Sequence, residues 1–320
     1  MSAAETYHPT QDQLAIAGAM DDALAELLPI ARLHASTEET ADTWAQLDAL
    51  GAFGVSRAED LGGSGLGAAE EALIVVALGK RLASPTVLAT VAAAHTDFDG
   101  LFAKGAAARV AAGYRRGDHI VVVEDAAAEF VLLREAAGAA LYRAPGGARP
   151  LDGRNWAARL AGVDSLGEAV ATLDAAGLLR LRLLDAAALA GVAEAALEMA
   201  VEYAKLREQF GRPIGAFQAV KHHCANMAIQ ARCARDQVSF AAVAIDQDRA
   251  DAELAVEAAL VAACAAAIDN ASNNIQIHGG IGFSDEADPH LLLKRAQLLA
   301  QVAGGLEAAT DRLAALPSVP

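Results

Sequence analysis

LLRLRLLDAAALAGVAEAALEMAVEYAKLR, Leu178 to Arg207, sets leucine, alanine and valine on one wide stripe and Glu194, Glu198 and Glu202 at four-residue steps on another. That period marks a long amphipathic helix with a solvated acidic face, as in a bundle. The pattern returns from Phe217 to about Gln247, from Ala252 to about His278, and from Pro289 to about Leu316, the last interrupted near Gly304-Gly305. Residues 165–320 therefore read as a C-terminal four-helix bundle.

Working outward, residues 1–112 also read as helical. Leu14, Leu24, Leu27 and Leu28, then Trp44, Leu47 and Leu50, then Leu73 to Leu82 recur at three- and four-residue steps. The glycine run Leu61-Gly62-Gly63-Ser64-Gly65-Leu66-Gly67 breaks this pattern, and without a GK[ST] ending it reads as a loop between helices rather than a phosphate cradle. Residues 113–164 differ. His119 to Glu124, Phe130 to Arg134 and Ala139 to Arg143 are short β-branched or apolar runs, with Pro145, Gly146, Gly147 and Pro150 supplying turns. A small middle β domain of three to five strands is expected, in a fold that is mainly α.

Composition narrows the function. A hydrophobic fraction of 54% with only 4% aromatics is dominated by alanine, a strong helix former, in a chain of 320 residues long enough for a large core. A formal charge of −16 argues against gripping a polyanion through the general surface, so nucleic acid is not an expected partner. An anionic cofactor would need local donors. Cys224, Cys233 and Cys264 are odd in number and lack metal-site spacing; they read as small hydrophobes in a reducing compartment. No basic leader precedes an apolar run at Met1 to Pro9 and no uninterrupted membrane span occurs, so a cytoplasmic protein is expected.

Two short stretches carry the chemistry. Arg207-Glu208-Gln209-Phe210-Gly211-Arg212-Pro213 ends one helix, and Gln218 opens the next, grouping a guanidinium fork, an aromatic and an amide around one turn. Gln276-Ile277-His278-Gly279-Gly280 places a second amide at a helix end, followed by glycines that let peptide groups approach a ligand. His222, His223 and His278 show no metal pattern.

Together these stretches resemble the acyl-CoA dehydrogenase family, as does the rhythm of Trp44 through Leu82. The resemblance covers most of the chain. It implies FAD as cofactor, an acyl-CoA thioester as substrate and α,β-desaturation as the reaction. Arg207, Phe210, Gln218, Gln276, Gly279 and Gly280 would then contact the ADP half of a FAD whose ring lies in the neighbouring subunit. The family's middle-domain segments of the type "EP..GSD" and "W.TNG", which cradle the flavin, are missing here. The family's base is a glutamate at one of two places, which correspond to Ala303 and Leu181. Neither is a carboxylate.

The resemblance therefore implies a subunit that works with a second, unlike acyl-CoA dehydrogenase chain supplying the flavin-ring site and the glutamate. Bulky acyl groups such as steroid side-chain CoA esters suit such mixed enzymes. Two other readings stand beside it. One is a self-sufficient homo-oligomer with a base relocated to Asp185 or Glu286, and the other is a non-enzymatic helical partner.

Overall fold

The computed structural model describes residues 7–317 except 37, 97, 103–105, 124, 136–137 and 152–157. Glu124, at the end of the first expected strand, thus lies outside the described residues. The chain begins with α1 (Gln11–Leu27), α2 (Ala41–Ala49), α3 (Ala68–Lys80) and α4 (Pro85–Ala93). Thr10 opens α1 through a capping box with Gln13, and Ser84 caps α4 ahead of Pro85 at the first helical position. The glycine run is a loop, as its composition requires, with Gly62 left-handed.

α3 is the pivot of this helical region. Every residue from Ala72 to Gly79 is buried, and the helix lies against the long bundle helix α5 (Ala175–Leu206). At the crossing, a Cβ on Gly79 would stand 2.1 Å from the Ala188 carbonyl oxygen, and one on Gly191 would stand 2.1 Å from that of Val76. The two backbones touch because neither glycine carries a side chain.

A buried ion cluster ties the same crossing together. Arg180 Nε donates to Glu71 at 2.6 Å, while Ser56 Oγ and His95 Nε2 meet the same carboxylate at 3.0 Å. Burial pushes the Glu71 carboxyl up; His95 and Arg180 more than reverse this and hold it below the usual glutamate range.

The middle of the chain forms one seven-stranded sheet among the described residues, more than the three to five strands expected. The strands are β1 (Val110–Arg116), β2 (His119–Val123), β3 (Phe130–Glu135), β4 (Gly138–Arg143), β5 (Arg149–Pro150), β6 (Leu160–Val163) and β7 (Ala171–Thr172), in the order β5-β6-β2-β1-β3-β4-β7. β1 and β3 pair in parallel, Val110 opposite Phe130, and the other neighbours are antiparallel. β5 and β7 are two residues long, too short to show an alternating pattern. β1 begins inside the stretch read as helical, because Val110-Ala111-Ala112 has helix-forming alanines and gains its strand partner only from β3, 20 residues on. Trp44 ties α2 to this sheet: its indole donates to the Ala107 carbonyl at 2.9 Å, stacks on Phe53, and lies under the Arg109 guanidinium at 4.5 Å.

The bundle comprises α5, α6 (Gln218–Asp246), α7 (Ala252–His278), α8 (Pro289–Val302) and α9 (Gly305–Ala315), with a two-residue-strand hairpin, β8 (Glu208–Gln209) and β9 (Arg212–Pro213), between α5 and α6. The last expected helix is broken where its glycines stand: Gly304 has φ 97° and ends α8. The acidic stripe of α5 is only partly solvated, since Glu194 pairs with Arg235 at 3.0 Å and Glu198 with Lys80 at 2.9 Å. All three cysteines are free, and burial pushes the Cys264 thiol up to about 12.

Candidate functional site

The six residues singled out for cofactor contact come from three helix ends that meet at one tip of the bundle. Arg207 closes α5, its amide donating to the Tyr203 carbonyl at 2.8 Å. The chain then turns through Phe210 and Gly211, with φ 54° and 76°, the conformation of a two-residue hairpin. Phe210 is 91% exposed at the apex, its ring edge-on to Phe217, which also carries the Arg212 guanidinium over its face at 4.2 Å. Gln218 is the first residue of α6 and borders an open depression with His222, His223 and Asn226.

The C-terminal end of α7 completes the tip. The His278 ring stacks on Tyr203 of α5 at 3.9 Å, and His223 of α6 meets Asn273 of α7 at 2.9 Å. Gln276, Gly279 and Gly280 are exposed there. Burial lowers the His278 pKa, and its Nδ1 donates to the Asn274 carbonyl at 2.8 Å. That donation leaves Nε2 as an acceptor at physiological pH. The tip is also apolar: Leu206 is 79% and Phe283 74% exposed. Tyr203, whose stacking joins α5 to α7, is not among the contact residues read from the sequence, since its partner His278 lies 75 residues on.

The two expected base positions converge elsewhere. Leu181 and Ala303 line one cavity of about 470 Å³ between α5, the α8–α9 break, the β1–β2 turn and the adjoining ends of β3 and β4. Asp185 lines it too and is no solvated carboxylate. It is ion-paired with Arg134 of β3; burial pushes its pKa up against the opposing pull of Arg134, Arg312 and Arg182. Behind the wall, fully buried Glu257 accepts from Arg182 at 2.8 Å and from Arg312 at 3.0 Å. Glu286 is not among the lining residues; it stands exposed in the turn before α8. Sequence reading missed the arginines of this cavity. Their partners lie 20 to 75 residues away, so no local pattern announces them. Among the described residues no group of three His, Cys, Asp or Glu could hold a metal ion, and no helix is long and apolar enough to cross a membrane.

Comparison with known proteins agrees with this architecture. Residues 10–99 match the acyl-CoA dehydrogenase N-terminal domain and residues 167–315 the acyl-CoA dehydrogenase C-terminal domain. The acyl-CoA dehydrogenase IpdE2 of Mycobacterium tuberculosis is 33% identical over 261 residues, 79% of this chain and 79% of its own length. The acyl-CoA dehydrogenase FadE34 of the same organism is 34% identical over 305 residues, 84% of this chain; the chain spans only 41% of that relative's length. Among solved structures, the ChsE4-ChsE5 complex from M. tuberculosis superposes with a TM-score of 0.74 at 24% identity, covering 98% of this chain and 100% of that one. The chain belongs to the acyl-CoA dehydrogenase family, whose cofactor is FAD.

The residues present fit the two ends of that cofactor unequally. At the tip, nothing lies within 4 Å of where a Cβ on Gly211, Gly279 or Gly280 would stand, so the backbone is open to a ligand beside the exposed Arg207, Gln218 and Gln276. Such a surface suits a pyrophosphate. The cavity, by contrast, is walled by guanidinium–carboxylate pairs where a neutral flavin ring would need hydroxyls and free peptide groups.

Proposed function

We propose that this chain is the subunit of a heteromeric, FAD-dependent acyl-CoA dehydrogenase that clamps the ADP half of the cofactor, while an unlike partner chain supplies the flavin-ring site and the catalytic glutamate. One distance supports a cofactor shared between chains. Arg207 lies 26 residues beyond Leu181 on the same helix, and at 1.5 Å per residue the tip stands about 39 Å from the cavity. No extended FAD spans that length, which favours a ring site in another chain; a second copy would meet that requirement too, and the non-carboxylates at Leu181 and Ala303 favour an unlike one.

When bound, FAD supplies the hydride acceptor for desaturation of the acyl chain. The tip would hold the other end of the molecule: the Arg207 fork and the Gln218 and Gln276 amides on the pyrophosphate and ribose, and Phe210 against the adenine. Substrate and partner follow from the same reading, an acyl-CoA thioester bound in the partner's half-site. The similarity to a chain of the ChsE4-ChsE5 complex and the lack of a carboxylate at both Leu181 and Ala303 support it. In the complex, Arg207→Ala is expected to weaken FAD retention by about 1.5–3 kcal/mol, roughly 10- to 150-fold. Unchanged flavin content after gel filtration would remove Arg207 from the clamp.

A second reading rests on one observation, that Asp185 lines the cavity shared by Leu181 and Ala303. As a relocated base it would need release from Arg134 before it could take a proton. Asp185→Asn separates the readings. The heteromer account expects activity of the complex to stay within about twofold of the parent, whereas a relocated base requires its loss by about a hundredfold or more.

A further inference from the structure

We propose that Phe217 is a positioning residue of the clamp: its ring holds the Phe210–Gly211 hairpin against the start of α6, so that Arg207, Phe210 and Gln218 grip as one unit. This rests on the clamp reading above and adds to it a residue outside the six singled out for cofactor contact.

The hairpin needs holding. Its two central residues have φ 54° and 76°, and the first of them is a phenylalanine. Such a turn favours Asn-Gly or Asp-Gly, and a bulky side chain at positive φ persists only where its surroundings impose it. The ladder supplies little of that. β8 and β9 are two residues each, Glu208 stands opposite Pro213 and Gln209 opposite Arg212, and a proline has no N–H to give. A hairpin so short is not stable by itself.

Phe217 provides the support from side chains. Its ring receives Phe210 edge-on, with centroids 6.1 Å apart and planes at 86°, and carries the Arg212 guanidinium over its face at 4.2 Å. The apex and the returning strand therefore meet one ring. The backbone of that ring is itself fixed: the Phe217 N–H donates to the Ile214 carbonyl at 3.1 Å, and its carbonyl accepts from the Lys221 N–H at 3.1 Å in the first turn of α6. Ile214 in turn donates to the Arg207 carbonyl at 2.7 Å, and Gln218 is the residue after Phe217.

Two local rules are broken here, and each breach fits the other. Phe217 occupies the N-cap of α6 and makes no side-chain cap, at a position where Ser, Thr, Asp or Asn would satisfy a free N–H. Phe210 occupies a turn position that suits Asn. An aromatic at both places forgoes the cap and the easy turn, and gains the contact between the two rings. Departures from local preference of this kind gather where a site has to be shaped.

Trypsin cleavage at the Arg207–Glu208 bond of the isolated full-length chain reads the order of the hairpin with no cofactor involved. Phe217→Leu should speed this cleavage about fivefold or more, since it removes both ring contacts. Phe217→Tyr keeps the ring and should stay within about twofold of the parent. Arg212→Met, which keeps the stem and removes only the cation, should speed cleavage by about two- to fivefold. In the co-purified pair, release of FAD followed by flavin fluorescence should quicken in the same order, while the thermal midpoint of Phe217→Tyr and Arg212→Met stays that of the parent. Cleavage unchanged by Phe217→Leu overturns the proposal, as does cleavage raised equally by Phe217→Tyr. Faster cleavage with unaltered FAD release overturns it as well. Loss of FAD on Arg207→Ala but not on Phe217→Leu would leave the clamp standing and remove Phe217 from it, whereas retention in both variants would overturn the clamp and the positioning role together.

Discussion

Replacing Glu71 by alanine is expected to destabilise the chain by about 3–5 kcal/mol, the cost of leaving one partner of a buried ion pair without the other. Arg180 is buried, and with Glu71 gone its nearest remaining carboxylate is Asp246 at 3.9 Å. His95 and Ser56 would lose their shared acceptor in the same step. The pH dependence has a definite sign. Glu71 has a folded-state pKa below its unfolded value, so its contribution is fully present above about pH 4.5, the ordinary value, and is lost as pH falls through the lowered one. Urea unfolding of the parent and the variant should therefore differ most near neutrality and converge on the acid side of pH 4.5. A variant equal to the parent at pH 7 would show that the cluster is not a source of stability.

Gly191→Ala should be as damaging, although it adds a single methyl group. The new carbon would stand 2.1 Å from the Val76 carbonyl oxygen and 2.7 Å from the Lys80 nitrogen, both backbone atoms that no rotamer change can move. Ordinary overpacking costs about 1–3 kcal/mol. Here α3 and α5 must separate along a face where almost every α3 residue is buried, so about 4 kcal/mol or more is expected. Denaturation midpoints of Gly191→Ala and of Gly18→Ala, at an open position of α1, make the comparison; equal midpoints would mean that the crossing gives way easily.

The residues best read in the sequence are those whose signal is local. Arg207 to Gln218 and Gln276 to Gly280 announce a helix end, a turn and a helix start within a dozen residues, and the structure gathers both stretches at one tip. The break at Gly304 and the strands at His119, Phe130 and Ala139 were legible for the same reason. What stayed hidden depends on distant pairing. β1 reads as a continuation of helix until β2 and β3 flank it, and the seven-strand count relies on two-residue strands that only a neighbour defines. The ion pair of Asp185 was hidden too, because Arg134 reaches it from the sheet, 51 residues away in the chain. The cavity that unites Leu181 with Ala303 joins positions 122 residues apart, and no motif spans that gap.

The division of the cofactor between unlike chains has one decisive measurement, the FAD-to-protein ratio by absorbance after gel filtration of this chain alone and of this chain co-expressed with a glutamate-bearing acyl-CoA dehydrogenase. The heteromer account expects a nearly colourless protein alone, with roughly a tenth of a FAD per chain or less at micromolar protein, and one FAD per unlike pair in the complex. A full complement of flavin on the isolated chain, reduced by an acyl-CoA, would contradict it.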